Sequence, residues 1–155
     1  MYVFKVGESE YRVQFGYGVL YKTDLIDRVL NISPADEEDT KNPADLLKNL
    51  IGLTAELLLA GLQRRHKDEF GFETDEERNQ MILKVCDLID DYEEEHTDED
   101  GNRDKDGFTL FSDLQGELER NGFLSQITKT AEVNAAKANV TKMPTDHKKK
   151  AGESK

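Results

Sequence analysis

The sequence feature that most constrains the fold is a long leucine-rich run between Asn42 and His66. Asn42 is a favourable helix N-cap, and Pro43 fits the first helical position, where no N–H donor is needed. Apolar residues then recur at three- and four-residue spacing in two adjacent stripes, which leaves only a thin polar line. The stripes are Leu46, Leu50, Leu53 and Leu57, and beside them Leu47, Ile51, Thr54, Leu58 and Leu62. We therefore predict a central helix about 36 Å long that contacts neighbours on most sides.

Two short segments before this helix alternate between apolar and polar residues. Alternation with period two, aromatic and β-branched residues and a glycine-led turn are typical of an antiparallel hairpin. The residues of its apolar face are Tyr2, Phe4, Val6, Tyr11, Val13 and Phe15. An isolated hairpin is only marginally stable in water, so we expect this face to pack on the central helix.

Three further helices are predicted from three- and four-residue apolar spacing. One covers about residues 18–31, and one covers about 75–95, where Thr74 and Glu77 form a capping box. The last contains Phe108 and stops at Asn121-Gly122, a helix-ending pair. The predicted fold class is therefore α+β, with an N-terminal antiparallel β-hairpin packed on a bundle of about four α-helices. Residues 1–127 form one domain, and residues 128–155 form a mostly disordered tail.

The charge of the chain is unevenly distributed. The net charge is −12, and residues 68–106 contain 17 acidic and 4 basic side chains, a net charge of −13. Residues 128–155 contain 7 lysines and 3 acidic residues, a net charge of +4. Acidic bulk argues against nucleic-acid binding, because phosphates are repelled. A single cysteine, no secretory signal pattern and no uninterrupted apolar span predict a soluble intracellular protein without a membrane segment.

The sharpest metal hypothesis concerns Asn102–Asp113, which can be aligned with the calcium loop of an EF-hand. Asn102, Asp104 and Asp106 take the first three ligand positions, and Asp113 takes the final carboxylate position. The first ligand is Asn rather than Asp, the last acid is a short Asp, and no second loop of this kind is visible. A solvated acidic loop before a helix start explains the pattern more simply, so we predict no metal site and no cofactor.

Patterns typical of enzymes are missing from the sequence. His66, His96 and His147 lie in separate segments without metal-ligand spacing, and no nucleophile motif or phosphate-binding loop is present. Cys86 falls near an apolar helical stripe, which favours a small buried side chain over a reactive thiol. We therefore predict that the chain is not an enzyme and acts through protein interactions.

Several strings, in one order, resemble the tail assembly chaperones of long-tailed (siphovirus-type) phages and prophages of Gram-positive bacteria. The strings are F-G-Y-G-V-L-Y-K-T-D-L-I-D-R-V, T-A-E-L-L-L-A-G-L-Q, D-E-F-G-F-E-T, D-D-Y-E-E-E and D-G-F-T-L-F…N-G-F-L-S-Q, after the predicted hairpin. The resemblance covers residues 1–127. The loops 33–42 and 96–106 and the C-terminal tail match nothing in it.

The resemblance implies a role in virion morphogenesis. Such a chaperone binds and solubilises the tape measure protein and helps to recruit the tail tube protein. It acts in the cytoplasm of the infected host and is absent from the mature virion. Members of this group also produce a longer form by programmed ribosomal frameshifting. The resemblance carries over no catalytic or cofactor residues.

A chaperone of an extended helix needs apolar faces that a partner can reach. The residues that we predict for this role are Leu53, Leu57, Leu58, Leu59, Leu62, Phe108, Phe111 and Phe123. The simpler interpretation is that each belongs to an ordinary core. Leu59 lies on the otherwise polar line of the central helix, between Glu56 and Gln63, and this placement also predicts self-association.

Two alternative functions remain open at this level. One is a calcium-responsive helical binding module built on residues 102–113, and the other is an acidic inhibitor that mimics nucleic acid through residues 68–106. A separate hypothesis concerns Lys148-Lys149-Lys150, because a lysine run requires an A-rich message on which a ribosome can slip. The simpler interpretation is that these lysines solubilise the tail of an acidic protein.

Overall fold

The computed structural model describes residues 1–30, 42–120 and 125. Within these residues the chain forms an N-terminal hairpin followed by six helices. In order, the elements are β1 (Tyr2–Val6), β2 (Ser9–Val13), α1 (Tyr17–Lys22), α2 (Leu25–Leu30), α3 (Pro43–Leu62), α4 (Lys67–Phe70), α5 (Asp75–Glu95) and α6 (Gly107–Glu119). This architecture confirms the predicted fold class. The predicted tail and the predicted helix end at Asn121-Gly122 lie outside the described residues.

The contacts divide the chain into two units. Met1–Leu118 form one compact unit, and the second unit is Glu119–Lys155. All of the packing and every candidate site discussed below belong to the first unit.

The two strands form an antiparallel ladder in which Tyr2 lies opposite Val13 and Phe4 opposite Tyr11. Two residues connect the strands, and the first of them, Gly7, has a φ of 58°. A positive φ at the first position of a two-residue turn favours glycine and matches the twist of the strands. The predicted inner face is correct, since it contributes the buried side chains of Phe4, Val6, Val13 and Phe15.

This inner face packs on two helices. The centroid of the Phe4 ring lies 5.2 Å from the centroid of the Tyr92 ring of α5. On the β2 side, Val13 and Phe15 pack against Gly61 of α3, where even a Cβ atom would overlap Val13. The hairpin is therefore seated over the C-terminal half of α3 rather than over its whole length.

The predicted helix caps are confirmed. The Asn42 side chain accepts a hydrogen bond of 3.2 Å from the Ala44 N–H at the start of α3. The Thr74 hydroxyl accepts from the Glu77 N–H at 3.2 Å, and the Glu77 carboxylate accepts from the Thr74 N–H at 3.3 Å. This reciprocal pair satisfies two of the unpaired donors at the start of α5.

The single helix predicted for residues 18–31 is wrong, because the chain forms two short helices there. Thr23 adopts an extended conformation, with φ −118° and ψ 156°, and its hydroxyl donates to the Val19 carbonyl at 2.8 Å. Asp24 then begins a new turn, with its carbonyl accepting from the Arg28 N–H at 3.0 Å. A threonine that bonds back to the preceding turn competes with continuation of the helix.

The predicted C-terminal end of the central helix is also corrected. α3 ends at Leu62, so the basic residues 64–66 lie beyond its last turn. His66 instead receives a hydrogen bond of 2.9 Å from the Arg12 N–H of β2. A long-range contact with the hairpin therefore engages the His66 side chain.

Neighbouring helices cover the polar line of α3 around Glu56 and Leu59. Glu56 pairs with Arg28 of α2 at 2.5 Å and lies 3.5 Å from Arg78 of α5. Leu59, on the same line, is only 2% exposed. The argument for self-association from an exposed Leu59 is therefore wrong.

Candidate functional site

The residues predicted to contact a partner lie mainly in the core. The five predicted leucines of α3 and Phe111 of α6 are all buried, whereas Phe108 is 67% exposed. The five leucines are Leu53, Leu57, Leu58, Leu59 and Leu62. Phe123 lies outside the described residues. A partner reaches the buried side chains of this set only if the domain opens, so their role in binding stays a prediction.

The exposed apolar residues of α3 lie in its N-terminal half instead. Leu46, Leu47 and Ile51 are 57%, 59% and 58% exposed. Their spacing is the same as that of the buried leucines, so the sequence pattern did not distinguish the two halves. The hairpin contacts the C-terminal half of the helix at Gly61, and α2 pairs with Glu56 in the same half.

Two of these side chains, Leu47 and Ile51, line an open groove of about 320 Å³ between α3, α5 and the start of α6. On the α3 side the groove is lined by Leu47 and Ile51, and on the α6 side by Phe108. Its base includes the buried side chains of Thr54 and Ala55. The remaining lining residues are Leu50, Cys86, Ile89, Asp90, Glu93, Arg103, Asp106 and Gly107. The groove is therefore apolar in its interior and charged along one side.

The charged side is organised around Glu93. Its carboxylate accepts from the Gly107 N–H at 2.7 Å and from Arg103 at 3.0 Å. Its carbonyl accepts from the Thr97 hydroxyl at 2.6 Å. Glu93 thus ties the end of α5 to the start of α6 and fixes the width of the groove at that point. The acid holds the two helices in place here, and its side chain also lines the groove.

Asp106 caps α6 at the same end of the groove. Its carboxylate accepts from both the N–H and the hydroxyl of Thr109, each at 2.9 Å. These two hydrogen bonds favour the ionised form, so they hold the pKa of Asp106 below its ordinary value.

We expect this cap to weaken at acidic pH. The folded-state pKa lies below the unfolded value of about 3.9, so the stabilisation is present above that value and is lost as the pH falls through the folded-state pKa. Urea unfolding at neutral and acidic pH should therefore show a wild-type advantage over Asp106→Ala that shrinks on acidification. An advantage of equal size at both pH values would contradict the assignment.

The residues aligned with a calcium loop do not form one loop. Asp106 is engaged with Thr109, and α6 starts at Gly107, so the final position, Asp113, lies inside a helix. Asp98, before this alignment, accepts from the Asn102 N–H at 2.8 Å in a turn closed by a bridge between Thr97 and Arg103. In the part of the chain that the structure describes, no group of three or more His, Cys, Asp or Glu residues is arranged to hold a metal ion.

Cys86 lines the groove as a small apolar side chain. Its burial, and then the nearby Asp90 and Asp87 carboxylates, raise the pKa of the thiol. A raised pKa disfavours the reactive thiolate. The groove therefore presents a contact surface in which this cysteine contributes packing.

None of the helices of the described ranges is both long enough and apolar enough to cross a membrane. No family model, no curated protein and no solved structure matches this chain. The groove between α3, α5 and α6 is the candidate site that its exposed apolar lining supports.

Proposed function

We propose that this chain is a tail assembly chaperone of long-tailed phages or prophages, which binds the tape measure protein in the α3–α5–α6 groove. It would keep that long helical protein soluble and help to recruit the tail tube protein during tail morphogenesis. The resemblance of residues 1–127 suggests the family, and the open apolar groove is the single observation that supports a helix-binding role.

The groove has the features of a helix-binding surface. Leu47 and Ile51 are one helical turn apart on α3, and Phe108 lies on the opposite side. An amphipathic helix binds such a surface with apolar side chains at three- and four-residue spacing. Leu47 and Ile51 on α3 have the same spacing as the apolar residues of such a helix. The side-chain ridges of one helix can therefore pack between those of the other.

The apolar area suggests a reversible contact. Complete burial of a leucine, isoleucine or phenylalanine side chain contributes about 1.5–3 kcal/mol, and three side chains that line the groove, Leu47, Ile51 and Phe108, are more than half exposed. Their combined contribution is several kcal/mol, from which the ordering cost of association must be subtracted. An assembly factor that is absent from the finished particle needs this kind of releasable binding.

The charges around the groove indicate which charge the partner helix should carry. Asp90 lies on its charged side, and residues 68–106 together have a net charge of −13. Charge complementarity favours a partner helix with basic residues beside its apolar stripe and slows association with acidic helices. We therefore expect binding to weaken at high salt, since screening reduces this term.

The test is co-expression with fragments of a candidate tape measure protein, followed by measurement of affinity. Ile51→Ser and Phe108→Ser should each weaken binding about tenfold, the equivalent of roughly 1.4 kcal/mol. Leu83→Ser is the matched control, because Leu83 is 66% exposed on α5 and does not line the groove. All three variants change an exposed apolar side chain, so none is expected to unfold the protein.

Two results would contradict the proposal. One is a tape measure fragment that stays equally soluble, or insoluble, with and without the chaperone. The other is an equal loss of affinity in Leu83→Ser and the groove variants, which would indicate general surface stickiness rather than binding in the groove.

A further inference from the structure

The two outer edges of the hairpin differ in how many hydrogen bonds their outward main-chain groups make with the rest of the domain. Along β2, the Arg12 N–H donates to His66 Nε2 at 2.9 Å. Just beyond the strand, the Gln14 N–H donates to the Gly61 carbonyl at 3.0 Å. Two outward donors on this side of the hairpin, the N–H groups of Arg12 and Gln14, are therefore used by the segment around the end of α3.

Within the described ranges, the outer edge of β1 is open. In an antiparallel ladder, residues directly opposite each other both point either toward the partner strand or away from it. Val3 lies opposite Arg12, whose N–H points away from β1, so the Val3 backbone points outward as well. Lys5, two residues on, has the same orientation. Within the described ranges, no group bonds the outward N–H or C=O of Val3 or Lys5.

This edge also lacks the usual protection against strand pairing. Natural edge strands are protected by proline, by bulges or by a lysine that projects from the edge. β1 contains no proline and pairs with β2 in an unbroken register. Its one lysine, Lys5, is held 2.6 Å from Glu10 of β2 and so reaches across the hairpin. Val3, the other outward residue of this strand, is 37% exposed.

We propose that β1 pairs with β1 of a second copy of this chain, antiparallel and about a two-fold axis at Phe4. In this register Val3 lies opposite Lys5 of the partner subunit, and Lys5 lies opposite Val3 of the partner subunit. Each of these two pairs exchanges both of its main-chain hydrogen bonds, which gives about four bonds across the axis. The two hairpins then form one continuous four-stranded sheet.

Charge favours a second copy at this edge. The chain has a net charge of −12, so most surfaces of two copies repel each other. Residues 2–13 contain two acidic and two basic side chains and are therefore neutral. If the two-fold axis lay at Lys5 instead of Phe4, the two Lys5 side chains would lie opposite each other. Like charges in that position are destabilising. The proposed register avoids that contact.

The first test uses Val3→Pro, with Val3→Thr as its matched control. Proline removes an N–H that the hairpin itself does not use, so the fold is retained, while threonine keeps the N–H and changes only the side chain. Sedimentation velocity over a concentration series should show a dimer for the wild type and for Val3→Thr. Val3→Pro should raise the dimer dissociation constant about tenfold or more, because half of the intersubunit hydrogen bonds lose their donor.

The second test fixes the register by disulfide trapping in a Cys86→Ser background. A mixture of Val3→Cys and Lys5→Cys chains should cross-link under mild oxidation, since opposite residues lie about 5.5 Å apart at Cα. Val3→Cys alone should not, because its two copies would be about 9 Å apart, beyond the reach of a disulfide.

Three outcomes would overturn the proposal. A wild-type chain that stays monomeric throughout the series excludes the dimer. A Val3→Pro dimer as tight as the wild type places the interface elsewhere, and loss of that dimer in Phe108→Ser would assign it to the groove. Equal weakening by Val3→Thr would indicate side-chain packing rather than strand pairing. None of these outcomes depends on the phage function proposed above, which is tested by tape measure binding.

Discussion

Replacing Gly61 with alanine is expected to lower the free energy of unfolding by about 2–3 kcal/mol, the upper part of the usual range for overpacking a core. A Cβ atom at this position would overlap Val13 Cγ1 and would also lie 3.5 Å from the Phe15 ring. The same residue accepts the Gln14 N–H through its carbonyl. A shift that relieves the overlap therefore stretches the hydrogen bond that holds β2 on α3.

The matched control is Gly52→Ala in the same helix. No atom lies within 4 Å of a Cβ built at Gly52, so alanine adds helix propensity without a clash. We expect a gain of about 0.5–1 kcal/mol. Urea or thermal unfolding of both variants measures the contrast. Val13→Ala combined with Gly61→Ala should recover part of the loss, and non-additivity of that pair would confirm that the two residues meet.

An equal effect of the two glycine substitutions would contradict this account. A stabilised Gly61→Ala variant would show that the hairpin does not pack closely on the end of α3. A destabilised Gly52→Ala variant would show that the N-terminal half of α3 is more crowded than the structure indicates.

The second large effect is a difference in stability between two leucine substitutions on α3, one in the core and one in the groove. Leu57 is fully buried, so Leu57→Ala should cost about 2–5 kcal/mol of stability through lost burial and the cavity left behind. Leu47 is 59% exposed, so the same substitution there should change stability by less than about 0.5 kcal/mol. Leu47→Ala should nevertheless weaken binding of a tape measure helix, because Leu47 lines the groove.

Chemical denaturation and binding titrations on the same two variants test this separation. If Leu47→Ala destabilises the domain as strongly as Leu57→Ala, the groove is not open in solution. If Leu47→Ala leaves both stability and tape measure affinity unchanged, the partner binds elsewhere.

The features that the sequence predicted correctly depend on residues close to one another in the chain. Thr74 and Glu77 are three residues apart, and a capping box needs nothing else. The hairpin was predicted from alternation and a glycine-led turn, which are likewise local. The pattern thus defined the elements and the fold class, apart from the break at Thr23 and the end of the central helix.

The helix errors have different physical origins. The apolar spacing continues across Thr23-Asp24 as if one helix were present, and the signal for a break was Thr-Asp itself, a helix-capping pair. The end of α3 offered no such signal. His66 lies 54 residues from its hydrogen-bond donor, Arg12, and only the assembled hairpin brings them together.

The candidate site was not predictable from apolar spacing alone. Ile51 and Leu58 belong to one stripe, yet Ile51 is 58% exposed and Leu58 is fully buried. Their difference depends on which elements pack against each half of a 20-residue helix, which is a tertiary property. Phe108 was among the residues predicted to contact a partner and lines the groove, whereas Leu47 and Ile51, which also line it, were not predicted.

The covered edge of β2 has a consequence for how far strand pairing can extend. A hairpin with two open edges can add copies on both sides and grow into a fibre. Here His66 and Gly61 accept two of the outward donors on the β2 side, so addition is favoured at the β1 edge. The proposed pairing of two β1 edges about a two-fold axis is complete at two copies, because a closed interface leaves no further site. His66, which follows α3, thereby also opposes open-ended polymerisation.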